Sequence, residues 1–352
     1  MGAHICGIQQ IGIGVSDLHS RWKWYRLVFG MDIRIFEDAA EAPLMTKYTG
    51  GKVQKRIAAL AMNMRGGGGF EIWQYASRTP QPPDFEIELS DIGILAAKLK
   101  TPDAATAARN FAEKGVKIIT KPTPNPAGKM HFYVCDLEDN WFDVEESDNW
   151  FKETNSDTGG AYGAVIGVSD MDKAMDFYRE MLGFDKVLAD VEEVPSDLQG
   201  LPGADAIMRR VILTQSAQGT GPFTPLLGKS VIELIHTPDK PGRKLFENRY
   251  WGDLGFIHLC FDVRGMDDLK KRGAKLGYPF TVDSADSFDM GKAAGRFGYV
   301  EAPDGTLIEF VETHKFPIVE KWGWFMDLRK RKQNKSLPKW MLGCFRFNRV
   351  KD

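Results

Sequence analysis

The chain has 352 residues, of which 43% are hydrophobic, 27% charged and 11% aromatic. This composition is typical of a globular protein of about two domains and excludes a mostly disordered chain. No apolar run approaches the ~20 residues of a membrane-spanning helix, and residues 1–6 lack the basic and apolar regions of a secretory signal, so a cytoplasmic location is expected.

The net charge of −2 is distributed unevenly along the chain. Residues 315–352 hold 11 Lys and Arg against 3 Asp and Glu, which leaves 35 basic and 45 acidic residues in the rest. An acidic body of this kind argues against binding of nucleic acid. The four cysteines are widely spaced, which predicts neither a disulfide framework nor a zinc ribbon.

The chain contains an internal repeat with an offset of 153 residues. Residues 10–31 and 163–184 share Ile-Gly-Val-Ser-Asp, then Tyr-Arg, then a glycine at Gly30 and Gly183. In both copies an apolar strand leads to Ser-Asp, a helix N-cap pair, and the glycine occupies the position where a left-handed residue ends a helix.

Further elements complete two units in each half of the chain. Strands are predicted at 56–62, 69–75, 91–99, 132–146, 209–215, 230–236, 255–263 and 298–312, with helices at 103–114 and 265–276. The sequence therefore predicts an α+β fold of four strand–helix–three-strand (βαβββ) units. We expect one two-unit domain at 1–151, a linker at 152–160, a second two-unit domain at 161–314 and an arm at 315–352.

Three phrases carry a resemblance to a known family: Val-Ser-Asp with Tyr-Arg eight residues after the Asp, Gly-Phe-Ile-His-Leu-Cys-Phe-Asp-Val (255–263), and Ala-Pro-Asp-Gly-Thr-Leu-Ile-Glu-Phe (302–310). The sequence over about 1–314 resembles the vicinal oxygen chelate superfamily, which includes glyoxalase I, bleomycin-resistance proteins and extradiol dioxygenases. The resemblance implies two tandem domains of βαβββ units, with curved mixed sheets and one divalent metal ion in a cleft.

The resemblance also assigns ligand positions to the first and last strand of each unit. The first-strand positions are Gln10, Ile94, Gly163 and His258, and the last-strand positions are Glu71, Asp143, Glu233 and Glu309. Pairing of the first unit with the fourth gives a site of Gln10, Glu71, His258 and Glu309. Pairing of neighbouring units gives Glu233, His258 and Glu309 instead. The first arrangement is favoured because it uses every donor of the first unit.

A single imidazole among oxygen donors suits Zn²⁺, Ni²⁺, Co²⁺ or Mn²⁺ and lacks the two histidines of a non-haem iron triad. The implied activity is that of a glyoxalase-I-like lyase or isomerase acting on a small α-hydroxycarbonyl or thiohemiacetal. In it Glu309, or else Glu71, moves a proton while the metal stabilises an enediolate. The alternatives are another metal-dependent enzyme (ring-cleaving dioxygenase, epimerase or thiol transferase) and a non-catalytic protein that sequesters a ligand.

Gly12, Gly14, Trp73 and Tyr75 are expected to line a substrate pocket that is roomier and more aromatic than a glutathione site. Two interpretations of the arm are open. A helix around 318–332, with Ile318, Trp322, Phe325 and Leu328 on one face, would pack on the acidic body or on a second subunit of a homodimer. The other is a basic, aromatic surface for an anionic membrane.

Overall fold

The structure, a computed structural model, describes residues 2–217, 219–285, 288–289, 294–319 and 322–351. Within these residues the chain forms two curved mixed sheets, of ten and nine strands, with helices packed against them. Four units follow one another along the chain, and a C-terminal arm follows the fourth. The predicted α+β class and the four-unit organisation are confirmed.

Each unit contains a long strand, a helix and further strands. The first unit comprises β1 (His4–Gly14), α1 (Leu18–Phe29), β2 (Ile33–Glu41), β3 (Lys55–Met62) and β4 (Gly69–Tyr75). The second unit comprises β5 (Gly93–Thr101), α2 (Ala104–Glu113), β6 (Lys117–Ile118), β7 (Thr123–Pro124), β8 (Met130–Cys135) and β9 (Trp141–Glu146).

The second half repeats this order and adds the arm. The third unit comprises β10 (Ala161–Gly167), α3 (Met171–Leu182), β11 (Lys186–Glu193), β12 (Met208–Thr214), α4 (Thr224–Leu227) and β13 (Val231–His236). The fourth unit comprises β14 (Gly255–Arg264), α5 (Met266–Leu276), β15 (Val282–Asp283), β16 (Phe288–Asp289), β17 (Ala294–Glu301) and β18 (Leu307–Val319). The arm comprises β19 (Trp324–Asp327), α6 (Lys339–Leu342) and a 3₁₀ helix, Gly343–Asn348.

Helices α1 and α3 begin and end where the repeated motif predicts. Asp17 and Asp170 each accept a hydrogen bond from the backbone N–H three residues further on, at 2.7 Å and 3.0 Å. These bonds satisfy amide groups that have no partner inside the first helical turn. Gly30 and Gly183 follow the last turns with φ of 63° and 75°, a left-handed conformation that costs glycine little.

The pairing of the long strands decides how the units combine. β1 pairs antiparallel with β14, and β10 pairs antiparallel with β5. One sheet has the order β15-β17-β18-β14-β1-β4-β3-β2, and the other has the order β11-β12-β13-β10-β5-β9-β8-β6. The first unit therefore shares a sheet with the fourth, and the second unit with the third. Pairing of neighbouring units, the alternative that the sequence left open, is wrong.

A continuous apolar core joins the two sheets. On α1, the ring of Phe29 lies 6.1 Å from that of Phe70 in the first sheet and 4.8 Å from that of Phe142 in the second, centroid to centroid. The hydroxyl of Tyr25 donates a hydrogen bond to Asp136, just after β8, at 2.6 Å. Burial of each large apolar side chain contributes about 1.5–3 kcal/mol to the free energy of unfolding, so the contacts of α1 stabilise the packing of the first sheet against the second.

Residues 152–160, the predicted linker, form neither helix nor strand and lie against the turn between β3 and β4. The side-chain amide of Asn63 donates to the carbonyl of Thr158 at 2.9 Å, and Arg65 donates to that of Thr154 at 3.2 Å. The segment is therefore held by hydrogen bonds to the first unit. The domain boundaries expected from the sequence stay a prediction.

The arm differs from the predicted helix. β18 continues to Val319, and β19 returns beside it with Asp327 opposite Lys315. The prediction of a helix around 318–332 is wrong for the residues of this segment that the structure describes. Residues 320 and 321 are not among the described residues. β18 lies between β17 and β14, but its register with β14 ends at Val311, and the extension beyond that residue has a free edge that pairs with β19. A spacing of apolar residues alone does not reveal such an edge.

The arm nevertheless packs on the body, as one of the two interpretations expected. Ile318, Leu328, Leu342 and Phe345 belong to a buried cluster that also includes Met62 of β3. The outer side of the arm exposes aromatic rings, since Trp322 is 71% exposed and Trp340 is 61% exposed.

Candidate metal centre and adjoining cavity

Four side chains selected from the sequence meet on one face of the first sheet. Gly12, near the end of β1, is paired with His258 of β14 on one side and with Glu71 of β4 on the other. Glu309 comes from β18, the strand beyond β14, and Gln10 lies two residues before Gly12. The pairing of the first and fourth units creates this meeting point.

The donor atoms of these side chains lie within hydrogen-bonding distance. Nε2 of His258 is 3.2 Å from Oε2 of Glu71 and 3.1 Å from Oε2 of Glu309. The amide of Gln10 donates from Nε2 to the same two oxygens, at 3.1 Å and 3.3 Å. The ligand atoms of the histidine and the two glutamates all lie within 4.8 Å of one another.

The charges in this cluster do not balance. Burial alone would lower the pKa of His258, but the negative charges of Glu309 and Glu71 raise it to about 10. Burial would raise the pKa of Glu309, and the charge of His258 instead holds it below its ordinary value. Among the described residues, the two carboxylates form ion pairs with His258 alone. Protonated His258 thus carries one positive charge against two largely buried carboxylates, whereas a divalent ion bound at Nε2 in place of that proton would balance both.

The geometry also fits a divalent metal ion. Despite its short distances to both carboxylates, Nε2 of His258 has no hydrogen-bond partner of acceptable angle among the described residues. Atoms that share one metal at 2.0–2.2 Å are about 3.0–3.5 Å apart. The distances from His258 and Gln10 to the two glutamates, 3.1–3.3 Å, fall in this range. Rotation of the Gln10 amide by half a turn would present Oε1 in place of Nε2. Such a set suits Zn²⁺, Ni²⁺, Co²⁺ or Mn²⁺.

Two aromatic residues that the sequence did not single out position His258. The hydroxyl of Tyr299, on β17, lies 3.4 Å from Nδ1 of His258. The ring of Trp251 stacks on the imidazole, with centroids 6.2 Å apart and planes 13° apart. Strand alternation places Tyr299 opposite Glu309 and could have indicated it. Trp251 comes from the irregular segment before β14, for which the sequence gives no signal.

The predicted pocket residues have different roles from those expected. Trp73 lines the cavity beside Glu71. Gly12 and Gly14 do not widen it: a Cβ on Gly12 would overlap the imidazole of His258, and one on Gly14 would overlap the carbonyl oxygen of Asp253. This part of the prediction is corrected, because the room left by the missing side chains is already filled. Tyr75 instead donates a hydrogen bond to the carbonyl of Trp251 and holds that loop.

A cavity of about 560 Å³ opens onto the donor cluster. Gln10, Glu71 and Glu309 form part of its wall, and most of the remainder is apolar or aromatic. Among the described residues, Arg56 is the single cationic side chain in the lining, and it is paired with Asp38. A cavity of this size and character holds a small organic molecule.

The corresponding cleft of the second sheet contains a lysine among the carboxylates. The ammonium group of Lys98, on β5, forms ion pairs with Asp143, with Glu233 at 2.9 Å and with Glu145 at 3.1 Å. Burial would lower the pKa of Lys98, but these three charges raise it well above its ordinary value. Gly163 lies opposite Lys98, and its missing side chain leaves room for the lysine stem. Lys98 supplies the positive charge that a metal ion would otherwise provide.

This arrangement corrects two expectations. Glu233 lies in the second sheet, where it also accepts hydrogen bonds from Arg210 at 2.8 Å and 3.0 Å, so it does not join His258 and Glu309 as the alternative set proposed. The register places Ala96, rather than Ile94, at the position on β5 that corresponds to His258, because Gly93, at the start of β5, corresponds to Gly255, at the start of β14.

Paired βαβββ units around a cleft with carboxylate and imidazole donors define a vicinal-oxygen-chelate fold. The model of the Glyoxalase/Bleomycin resistance protein/Dioxygenase superfamily matches residues 7–144 and 163–310, so the chain belongs to this superfamily. Proteins of this superfamily typically bind a divalent metal, and Glu71, His258 and Glu309 form the candidate site here.

Comparison with solved structures supports the fold. Glyoxalase I from Zea mays superposes with a TM-score of 0.54 at 16% identity, over 87% of this chain and 92% of that chain. A mutant of the same enzyme gives a TM-score of 0.56 over the same shares. A candidate dioxygenase from Bacillus subtilis gives 0.55 at 13% identity, over 88% of this chain and 86% of that chain. A comparison with curated proteins gave no significant match.

In the described part of the chain, no helix is both long enough and apolar enough to cross a membrane.

Proposed function

We propose that the protein is a metal-dependent lyase or isomerase that acts on an α-hydroxycarbonyl or thiohemiacetal compound. The observation that carries the proposal is the convergence of Gln10, Glu71, His258 and Glu309 at the base of an otherwise largely apolar cavity. These four residues would hold the metal. When bound, the ion would act as a Lewis acid towards a carbonyl or hydroxyl oxygen of the substrate.

The residues of the chain supply the remaining steps. Glu309 is the proposed base, since it lines the cavity and the charge of protonated His258 holds its pKa below the ordinary value. A bound ion, which would replace the proton on Nε2 of His258, would likewise favour the ionised carboxylate. Its carboxylate would take the proton from the hydroxyl-bearing carbon next to the substrate carbonyl and return it to the former carbonyl carbon. The hydroxyl proton would pass to the former carbonyl oxygen, which completes the exchange of the two groups. Glu71, on the other side of the donor cluster, is the second candidate for this role. Trp73, Trp251 and Tyr299 would exclude water from the reacting atoms.

The lining of the cavity argues against the glutathione adduct of methylglyoxal as a substrate. Glutathione brings two carboxylates, and Arg56, already paired with Asp38, is the cation available to it among the described lining residues. Burial of an unpaired carboxylate is costly. A neutral substrate suits this cavity better.

The proposal is tested by metal analysis of the purified full-length protein together with assays on α-hydroxycarbonyl compounds. We expect about one divalent ion per chain, interconversion of a hydroxyketone or hydroxyaldehyde with its isomer, and loss of both on chelation. A protein that binds no metal after incubation with Zn²⁺, Ni²⁺, Co²⁺ and Mn²⁺ would contradict the proposal.

A second candidate is a non-catalytic protein that sequesters an apolar ligand, which the size and lining of the cavity favour. Tight ligand binding with no turnover at any metal loading would support it over the enzyme. Redox-active iron together with oxygen consumption would support a dioxygenase instead.

A further inference from the structure

The cavity has two different ends, one on each side of the donor cluster. β18 runs in the opposite direction to β4. Val311 and Thr313 follow Glu309 on β18, whereas Trp73 follows Glu71 on β4. The first two residues therefore lie on one side of the donor cluster, and Trp73 lies on the other. The Trp73 end is closed by aromatic rings and by the loop that carries Trp251. We name the opposite end the arm lobe; its wall consists mainly of Met62, Leu226, Leu227, Phe316 and Phe345, and the uncharged polar residues Thr313 and Asn348 also line it.

The arm lobe is built largely by parts of the chain beyond the strands that carry the donors. Phe316 lies in the extension of β18 and Phe345 lies in the last 3₁₀ helix of the arm. Their rings are 5.7 Å apart between centroids, and Phe316 is 5.0 Å from Phe223, beside α4. Phe345 is 4% exposed, so it is fixed by packing while one face still borders the cavity. The wall is preformed and largely apolar.

We infer that the substrate carries an uncharged, apolar tail that lies in the arm lobe, and that Phe345 sets the length of tail that fits. This inference rests on the proposed function for the position of the reacting oxygen atoms, which the donor cluster would hold. Apart from Thr313 and Asn348, which carry no charge, the described wall of the arm lobe offers aliphatic and aromatic carbon, so a charged tail would lose its hydration without gaining an ionic partner. A hydrocarbon tail instead gains from leaving water.

The test measures binding of straight-chain 1-hydroxy-2-ketones, from about four to about ten carbons, to the full-length protein by calorimetry and by tryptophan fluorescence. Each methylene moved from water into an apolar site contributes about 0.8 kcal/mol, which is about fourfold in affinity. We expect a gain approaching this factor for each added carbon until the lobe is filled, and no gain beyond it. Affinity that does not change with tail length would overturn the inference.

Variants of the arm locate the effect. Phe345→Trp narrows the lobe and is expected to shift the best tail to a length shorter by about one or two carbons, whereas Phe345→Leu widens it and shifts the best tail to a longer one. Phe347→Ala is the matched control, because Phe347 lies two residues further along the same helix, is 52% exposed and is not part of the lobe wall. The inference is overturned if the Phe345 variants and the control share the length profile of the wild type.

Metal content and thermal stability of each variant separate this inference from the proposed function. A length profile that Phe345 controls, in a protein without metal or turnover, supports the arm lobe as the tail site and contradicts the proposed reaction. If the protein binds metal and turns over short hydroxyketones, but its affinity does not depend on tail length, the proposed reaction is supported and the tail site is overturned.

Discussion

Glu309 is the residue on which the proposed chemistry depends most. It touches both Gln10 and His258, and its carboxylate borders the cavity. Glu309→Gln keeps the size of the side chain but removes its charge, so the proposed base is lost and one of two anionic ligands becomes neutral. We expect the fold to persist, turnover to fall by about 10²-fold or more, and metal affinity to fall, as measured by single-turnover kinetics and metal titration.

The control is Glu193→Gln on the exposed strand β11, which is expected to change neither quantity. If Glu309→Gln retains the kcat of the wild type, then Glu71 is the base or the reaction involves no proton transfer by Glu309.

Asp262 gives a second prediction at the level of one residue, and this prediction concerns stability. The side chain is fully buried on β14, and its Oδ2 has no hydrogen-bond partner among the described residues. Burial raises the pKa of Asp262 from an ordinary value of 3.8 to about 7. Between these values the folded protein keeps a proton that the unfolded chain releases, so the free energy of unfolding falls as pH rises through this window.

Asp262→Asn removes this titration while it keeps the shape of the side chain. We expect the variant to unfold with a free energy higher than that of the wild type at pH 8, by up to about 4 kcal/mol, and no such gain at pH 4. Urea denaturation over this pH range measures the difference. Asp176→Asn, at an exposed position of α3, is the control. A difference that does not depend on pH would contradict the assignment.

At the level of the secondary-structure element, β5 and its partners show how the buried carboxylates of the second sheet are neutralised by a lysine. Lys98 of β5 neutralises carboxylates from β9 and β13, and Arg210 and Asp197 extend the network. Removal of one member of a buried ion cluster leaves the others unpaired, which typically costs 3–5 kcal/mol. Lys98→Met is therefore expected to lower the free energy of unfolding by about this amount.

Chemical denaturation of the Lys98→Met variant tests this role. Lys117→Met is the matched control on the same half of the chain, since the side chain of Lys117 is 71% exposed and its ion pair with Asp139 lies in solvent. We expect the control to change stability by less than about 0.5 kcal/mol. Equal effects of the two substitutions would show that the cluster around Lys98 does not stabilise the fold.

The elements also show which structural information is local in the sequence. The caps at Asp17 and Gly30 and the donors Glu71 and Glu309 could be predicted, because a cap needs only its own turn and a carboxylate in an apolar strand needs a partner. The role of Lys98 could not, since it follows from carboxylates on two other strands. The strand β19 was also missed, because the helical spacing of its apolar residues does not reveal that β18 continues past its pairing with β14 and has a free edge there.

At the level of the whole molecule, each sheet takes one unit from each half of the chain. The contacts between β1 and β14 and between β5 and β10 cross from one half to the other, and the candidate metal site takes Gln10 and Glu71 from the first half and His258 and Glu309 from the second. The sequence repeat therefore divides the chain into two similar halves, whereas each sheet combines strands from both halves. A metal site of this kind exists only when both halves are folded together.

This interleaving predicts that neither half forms a stable monomer by itself. A fragment of residues 1–160 would expose the edges of β1 and β5, and a fragment of residues 161–352 would expose those of β10 and β14, each of them apolar and central in its sheet. We expect each fragment alone to aggregate or self-associate, and the two fragments expressed together to form a 1:1 complex that binds one metal ion. Size-exclusion chromatography with metal analysis measures both. A folded, monomeric fragment, or fragments that fold but do not associate, would show that the strands between the halves contribute little to stability.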